Sequence, residues 1–396
     1  MSRLKSISLT LVVLAGGALA REARAQDCVF PANKVLIAGS TAIQPLIKRT
    51  AAPLLTVGDI DVYYANVGSC TGAKAFVMST DLGGKPVDHF DAQGMSTPCT
   101  APAGTKADVG VSDVFYASCG AGPLPAGYAD VQGPVQGMSF VVPRMSTQNA
   151  LVAEEGYFAF GFGTAGYMGQ TVAPWTDETK FAVRNAGSGT QQMTGRAVGL
   201  PNGDVMKGTD SKNSPGVITA LTMANASAAT AEPAIGILGS ADYDGARMTL
   251  KTLAFQAFKQ IHAYLPDSTE TSFDKRNIRD GKYVVWGPSH IFAAVGADGK
   301  ASDARVQNLI DYVTLAKPLG PTSLIDITIN AHLIPQCAMK VTRTEEQGPL
   351  SPFAPPAPTA CGCYMEEKLL PGSSGCTACT TDATCGAKKC NSGFCE

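Results

Sequence analysis

The chain has 396 residues, 45% hydrophobic and 16% charged, with a formal charge of −2 and twelve cysteines. That length supports one large or two medium globular domains with true cores. The near-neutral, slightly acidic balance lacks the electrostatic footprint of a nucleic-acid binder, and so many cysteines suit an exported, oxidising setting better than a cytosol.

The first element is a leader. Arg3 and Lys5 make a basic start, Leu9 to Ala20 an apolar run, and Ala23-Arg24-Ala25 the small residues of a peptidase site. The run is too short to span a bilayer, so residues 1–25 read as a cleaved secretory signal and the protein as periplasmic or secreted. Cys28, preceded by Ala-Gln-Asp, does not look like a lipid acceptor. Loss of the leader removes four basic residues and one acid, taking the formal charge from −2 to −5. No later stretch is long and apolar enough to cross a membrane.

Strand-like and helix-like segments then alternate. Lys34–Ala38 predicts a strand, and Ile43, Leu46, Ile47 and Leu54 one face of a helix. Asp59–Val67 predicts the next strand, followed by a helix carrying Ala73, Phe76 and Val77. Thr80–Thr105 is glycine-rich and polar and reads as an inserted loop, with Asp88-His89-Phe90-Asp91 as a solvated part of it rather than a metal site. Ala107–Val111, Ser139–Val142, Phe181–Arg184, Ala234–Leu238 and Tyr283–Trp286 predict further strands. Val306, Leu309, Ile310 and Val313 mark an amphipathic helix. The alternation implies an α/β architecture with largely parallel sheets.

Gly348–Ala360 is a proline-rich, extended spacer, and seven of the cysteines follow it, from Cys361 onward. With so few apolar residues the tail is expected to hold its shape through crosslinks alone. Cys376-x-x-Cys379 could suggest zinc, but no histidine follows His332, and export favours disulfides. Five body cysteines and seven tail cysteines are both odd numbers, so either one bond joins tail to body or free thiols remain. The pairing is open at this point.

Four strand-end loops share one design: Gly39-Ser40-Thr41-Ala42, Gly68-Ser69-Cys70-Thr71-Gly72, Val111-Ser112-Asp113 and Gly187-Ser188-Gly189-Thr190. Amides at a helix start have no internal acceptor and the helix dipole is positive there, so an anion is the natural guest. Small residues allow close approach, hydroxyls add donors, and Arg184 adds a planar charged fork suited to oxyanions. Each loop alone could be an ordinary capped helix; the combination is the signal. In open α/β sheets ligands sit beyond the carboxyl ends of the strands, where all four loops fall.

Other motifs carry less. Gly161-Phe-Gly-Thr-Ala-Gly166 matches a dinucleotide fingerprint, but it follows a helical stretch and no acid stands about twenty residues on. The body lacks the G-x-S-x-G of a serine hydrolase and the G-x-x-x-x-G-K-[ST] of a phosphate-loop enzyme. Its four histidines are scattered, unlike a two-metal phosphatase. A binding protein, not an enzyme, is expected.

The order GSTA, VGS-x-x-G-x-K, ADVGVSD and R-x-x-G-S-G-T, with Ala234–Ile237 and Asn277–Phe292, resembles the phosphate-binding proteins of bacterial ABC transporters across roughly residues 30–340. The resemblance implies a type II periplasmic binding fold: two lobes, two hinge crossovers, and a ligand in the cleft. Lobe 1 would comprise 28–137 and 287–346, lobe 2 138–286, a linker 347–360, and the tail 361–396. It implies phosphate contacts from Thr41, the Ala42 amide, Ser69, Asp113, Arg184, Ser188, Gly189 and Thr190. Asp113, an acceptor, would accept a hydrogen bond from the proton of hydrogen phosphate and reject sulfate; its bland alternative is helix capping with Ser112. The family often carries an acid two residues after the arginine, where this chain has Ala186. A monomer with a permease partner is implied, and no cofactor or metal. The alternatives are a different oxyanion, or a surface or matrix protein that reuses the fold and displays the cysteine-rich tail for adhesion or addressing.

Overall fold

Four wholly buried residues, Val35 to Ala38, form the centre of β1 (Lys34–Gly39), which runs parallel to β2 (Asp61–Ala65) on one side and β5 (Val109–Ser112) on the other. In the computed structural model, which describes residues 26–355, 359–372 and 374–396, these strands are linked by α1 (Gln44–Gly58) and α2 (Ser69–Val77). The expected leader lies outside the described residues. Leu46, Ile47, Ala51 and Leu54 turn the apolar stripe of α1 onto the sheet, as their spacing dictates. Gly72 lets α2 ride directly on the end of β1: a Cβ there would stand 2.3 Å from the Gly39 Cα.

The segment read as an inserted loop is instead a hairpin, β3 (Pro86–Phe90) and β4 (Ser96–Thr100), added antiparallel to the edge of β2. Its polar composition belongs to an edge, where only Val87 and Phe90 turn inward. The Asp88–Asp91 stretch is correspondingly not a solvated loop. His89 Nε2 lies 2.8 Å from Asp61 Oδ1, and its ring stacks on Tyr63. Cys28–Cys99 ties the hairpin to the chain's beginning.

One long strand joins the halves. Up to Gly137, β6 (Tyr128–Pro143) pairs with β13 (Trp286–Ala294); from Met138 it pairs with β10 (Ile235–Gly239). The second half adds β8 (Phe181–Val183) and β9 (Thr209–Asp210), parallel to β10 and β8 in turn, and β11 (Leu250–Thr252), antiparallel to β6. Helices α3 (Ala153–Phe162), α4 (Gly189–Ala197) and α5 (Ser214–Ala224) flank it, and β7 (Ala150–Val152) pairs with β12 (Ala254–Gln256). Val35, Leu54, Val109 and Leu309 belong to the core of the first half, and Phe140, Phe160, Trp175 and Phe181 to that of the second.

The two-lobed α/β class expected from the sequence, with a disulfide-rich tail, is the one adopted. The sheets are mixed rather than largely parallel, because β6 and β13 run against their neighbours. Tyr283–Val285 is not a strand. Tyr283 is wholly buried and donates its hydroxyl to the Met138 carbonyl at 2.6 Å, while the strand begins at Trp286. An apolar run alone cannot separate a buried strand from buried irregular chain.

All twelve cysteines pair. Cys28–Cys99 and Cys70–Cys119 lie in the body, Cys337–Cys361 joins body to tail, and Cys363–Cys376, Cys379–Cys390 and Cys385–Cys395 close the tail. Crosslinks alone do not hold the tail's first turn. Cys361 and Met365, the latter on the helix Gly362–Leu369, are buried in the apolar cluster that also contains Ile278, Tyr283, Ala338 and Met339. Glu366 receives Arg279 at 3.1 Å and Arg276 at 2.7 Å. Breaking one side of a buried ion pair strands the other charge. Glu366→Gln is therefore expected to lower unfolding stability by about 3 kcal/mol in a denaturant titration. Wild-type stability in that variant would mean the tail merely rests on the surface.

Candidate functional site

The strand-end loops meet where the lobes face each other. Asp113, just past β5 and 2% exposed, accepts from three side chains: Ser40 Oγ and Gln136 Nε2 at Oδ1, and Ser69 Oγ at Oδ2, the last at 2.9 Å. Burial pushes the Asp113 carboxyl above its usual range, and the three donors and the Arg184 charge work against that push. From the other lobe, Gly189 opens α4 so close that a Cβ on it would lie 2.5 Å from Ser69 Oγ and 2.7 Å from Asp113 Cβ. The Cys70 amide donates across the lobes to the Gly187 carbonyl at 3.0 Å.

Arg184 follows β8 and is 4% exposed. Its guanidinium contacts are hydroxyls: Nη1 donates to Ser214 Oγ at 3.1 Å and Nη2 reaches Thr41 Oγ1 at 3.5 Å, while Nε is buried without a partner. Burial lowers its proton affinity, opposed by the charges of Asp242 and then Asp113. Asp242, in the helix Ser240–Gly245 that follows β10, is itself pushed up by burial, against a hydrogen bond from Ser214 and the Arg184 charge, and its Oδ2 has no hydrogen-bond partner. An unpaired donor on the arginine and an unpaired acceptor on the aspartate thus stand in one neighbourhood.

The eight residues singled out by resemblance are therefore not equivalent. Thr41, Ser69, Asp113, Arg184 and Gly189 converge through side chains or backbone. The Ala42 amide is already taken by Ser40 Oγ at 3.0 Å. Ser188 uses its hydroxyl to cap α4, accepting from the Gln191 amide at 3.4 Å. Thr190 is buried in the first turn of α4, where its carbonyl accepts from Thr194 Oγ1. Ser40, Gln136, Ser214 and Asp242 were not singled out. Asp242 had a signal: Gly239-Ser240 repeats the strand-then-Gly-Ser design of Gly39-Ser40. Gln136 had none, being one polar residue within a long strand.

The four histidines are engaged elsewhere: His89 with Asp61, His290 with Asp130, His332 with Asp244, and His262 edge-on to the Tyr264 ring. Gly161–Gly166 lies at the end of α3 and in the 3-10 turn after it, not between a strand and a helix.

Two openings flank the junction. One, of about 400 Å³, is lined in part by Thr41, Ser214 and Asp242; the other, of about 320 Å³, runs past the Cys70–Cys119 disulfide, Lys74 and Arg196. Behind Asp113, Glu346 accepts from the Phe115 amide at 3.3 Å, and its Oε1 has no partner. Burial raises the Glu346 carboxyl to about 6, against an ordinary value of 4.5. The folded chain thus holds that proton more tightly than the unfolded chain, so stability is fullest below pH 4.5 and falls as pH rises through 6. Glu346→Gln should raise the thermal midpoint at pH 8, by an amount equivalent to about 2 kcal/mol, and leave it unchanged near pH 4. Equal midpoints at both pH values would show that the carboxylate is solvated.

No family model matches this chain, and no curated protein matches it. Solved structures do resemble it. A possible phosphate binding protein from Planctomyces limnophilus DSM 3776 aligns over 76% of this chain and 92% of its own, at 13% identity and a TM-score of 0.44. A putative phosphate ABC transporter substrate-binding protein with bound phosphate, from Clostridium perfringens, aligns over 76% and 99%, at 15% identity and a TM-score of 0.48. An ABC-type phosphate transport receptor from Vibrio cholerae aligns over 76% and 99%, at 15% identity and a TM-score of 0.46.

Proposed function

We propose that the protein is an extracytoplasmic solute-binding protein that captures an inorganic oxyanion, phosphate first, between its lobes. One observation carries the reading. Arg184, a permanently charged group, is buried against hydroxyls with its Nε unpaired, at a point where loops from both lobes meet. A buried charge is costly unless paired, and an oxyanion is the partner whose geometry fits the guanidinium fork. Thr41 adds a hydroxyl, Ser69 holds the Asp113 carboxylate at 2.9 Å, the amides of Gly189 and Thr190 open a helix, and Asp113 accepts a hydrogen bond from the proton that hydrogen phosphate carries and sulfate lacks.

Lobe limits of 28–137 with 287–346, and 138–286, are proposed with it. The switch of β6 from β13 to β10 at Gly137–Met138 supports the first crossing, and the start of β13 at Trp286 supports the return. Capture works by closure of the lobes on the anion, protein donors replacing its water shell. The protein is proposed to act as a monomer that delivers the anion to a membrane permease, without turning it over.

Isothermal titration with phosphate and with sulfate tests the function. Micromolar or tighter phosphate binding with much weaker sulfate binding is expected; failure to bind either anion removes the reading.

A further inference from the structure

We infer that the site extends to phosphate monoesters of polyols or sugars, with the organic group in the chamber beside Thr41. This rests on the oxyanion reading above and adds a substrate class to it. Thr41 and Ser214, the two hydroxyl partners of Arg184, both line that chamber of about 400 Å³, as does Asp242. The other opening, past Cys70–Cys119, is lined by neither of these hydroxyl partners, and at Gly189 a single added carbon would collide with Ser69 and Asp113. Space next to the guanidinium therefore lies on the Thr41 side, and its size falls in the range of small-molecule pockets.

The chamber walls suit hydroxyl groups. Gln44 Nε2 donates to Asp88 Oδ2 at 2.8 Å, Asn66 Nδ2 to Gln44 Oε1 at 2.7 Å, and Ser96 Oγ to Asp88 Oδ1 at 2.8 Å. These four residues line the chamber and hold one another in place before any guest arrives, the arrangement that favours selective binding. Across from them stand Asn213, from the loop before α5, and Asp242. Amides donate and accept, and carboxylates accept, so a neutral polyol is matched on both sides. Lys48 lines the chamber as well, so its charged walls carry one cation beside Asp88 and Asp242. The β3–β4 hairpin, which the oxyanion contacts leave unused, here supplies Asp88 and Ser96 as one wall.

Asp113 accepts a hydrogen bond only from a ligand that carries a proton, and a phosphate monoester carries one below its second pKa of about 6. The test is calorimetric titration at pH 6 with inorganic phosphate, glycerol 3-phosphate and glucose 6-phosphate, on wild type, Asn66→Trp and Ser96→Trp. Asn66 is exposed on the chamber wall and is not among the contacts of Arg184, so an indole there is aimed at the chamber and not at the guanidinium. Wild type is expected to bind at least one ester roughly tenfold tighter than inorganic phosphate. Either tryptophan variant should erase that advantage and leave inorganic phosphate affinity unchanged. Esters weaker than inorganic phosphate on wild type, or an ester advantage that survives both variants, overturn the inference and leave the oxyanion reading standing. So does a parallel loss of ester and inorganic phosphate in a variant that still melts cooperatively. If none of the three ligands binds wild type, the oxyanion reading fails as well.

Discussion

Arg184→Met is expected to abolish tight anion capture and to leave the chain no easier to unfold. Hydrogen bonds from a charged donor contribute about 1.5–3 kcal/mol each, and a guanidinium delivers two to one oxyanion. The loss is then about 3–6 kcal/mol, or roughly two to four decades in affinity. Stability should move the other way or not at all. The native guanidinium is buried with hydroxyl contacts and an unpaired Nε, so an apolar replacement of similar length removes a desolvated charge. Part of that gain is offset, because Asp242 and Asp113 lose the charge that favours their ionised forms. Titration calorimetry and a thermal melt on the same preparation decide the matter. Wild-type phosphate affinity in Arg184→Met ends the proposed function; a midpoint several degrees lower makes the arginine a structural residue.

Asp113→Asn is expected to remove selectivity rather than binding. In the wild type a dianion without a proton meets a buried carboxylate, and like charges placed together cost several kcal/mol. Phosphate should therefore exceed sulfate by about three decades or more near neutral pH. Asparagine keeps the shape. With its amide oxygen at the Oδ1 position it still accepts from Ser40 and Gln136, and its NH₂ faces Ser69 Oγ, which can turn to accept. The two anions should then bind within about tenfold of each other. The wild type should drift the same way in acid. Burial already raises the Asp113 carboxyl, so falling pH protonates it early, turns it into a donor, and strengthens sulfate binding. Unchanged discrimination in Asp113→Asn would place the selectivity elsewhere.

What could be read along the chain was whatever depends on near neighbours. β1 and α1 follow from apolar spacing over a dozen residues, and the strand-end loops follow from glycine and hydroxyl residues at helix starts. The β3–β4 hairpin escaped because an edge strand needs only one or two inward residues, so its glycine and polar content mimics a loop. Tyr283–Val285 misled for the opposite reason: it is apolar enough for a strand but buried by packing, with Tyr283 hydrogen-bonded to the Met138 carbonyl. In the tail, odd cysteine counts limited the alternatives to a body–tail bond or free thiols, yet not which cysteine. Only the folded chain brings Cys337 beside Cys361 and seats Glu366 against Arg279.

The same division runs through the site. Strand ends, unpaired helix-start amides, an arginine and an acid are matters of local chemistry, because a peptide amide at a helix start lacks its acceptor whatever the rest of the molecule does. Which of these groups share one place is a matter of packing between segments far apart in the chain. Asp113 gathers Ser40, Ser69 and Gln136, and Arg184 gathers Ser214 and Thr41, across separations from 23 to 143 residues. Pattern over a few positions carries no information about such distances. Core packing of both lobes against the shared strand β6 does.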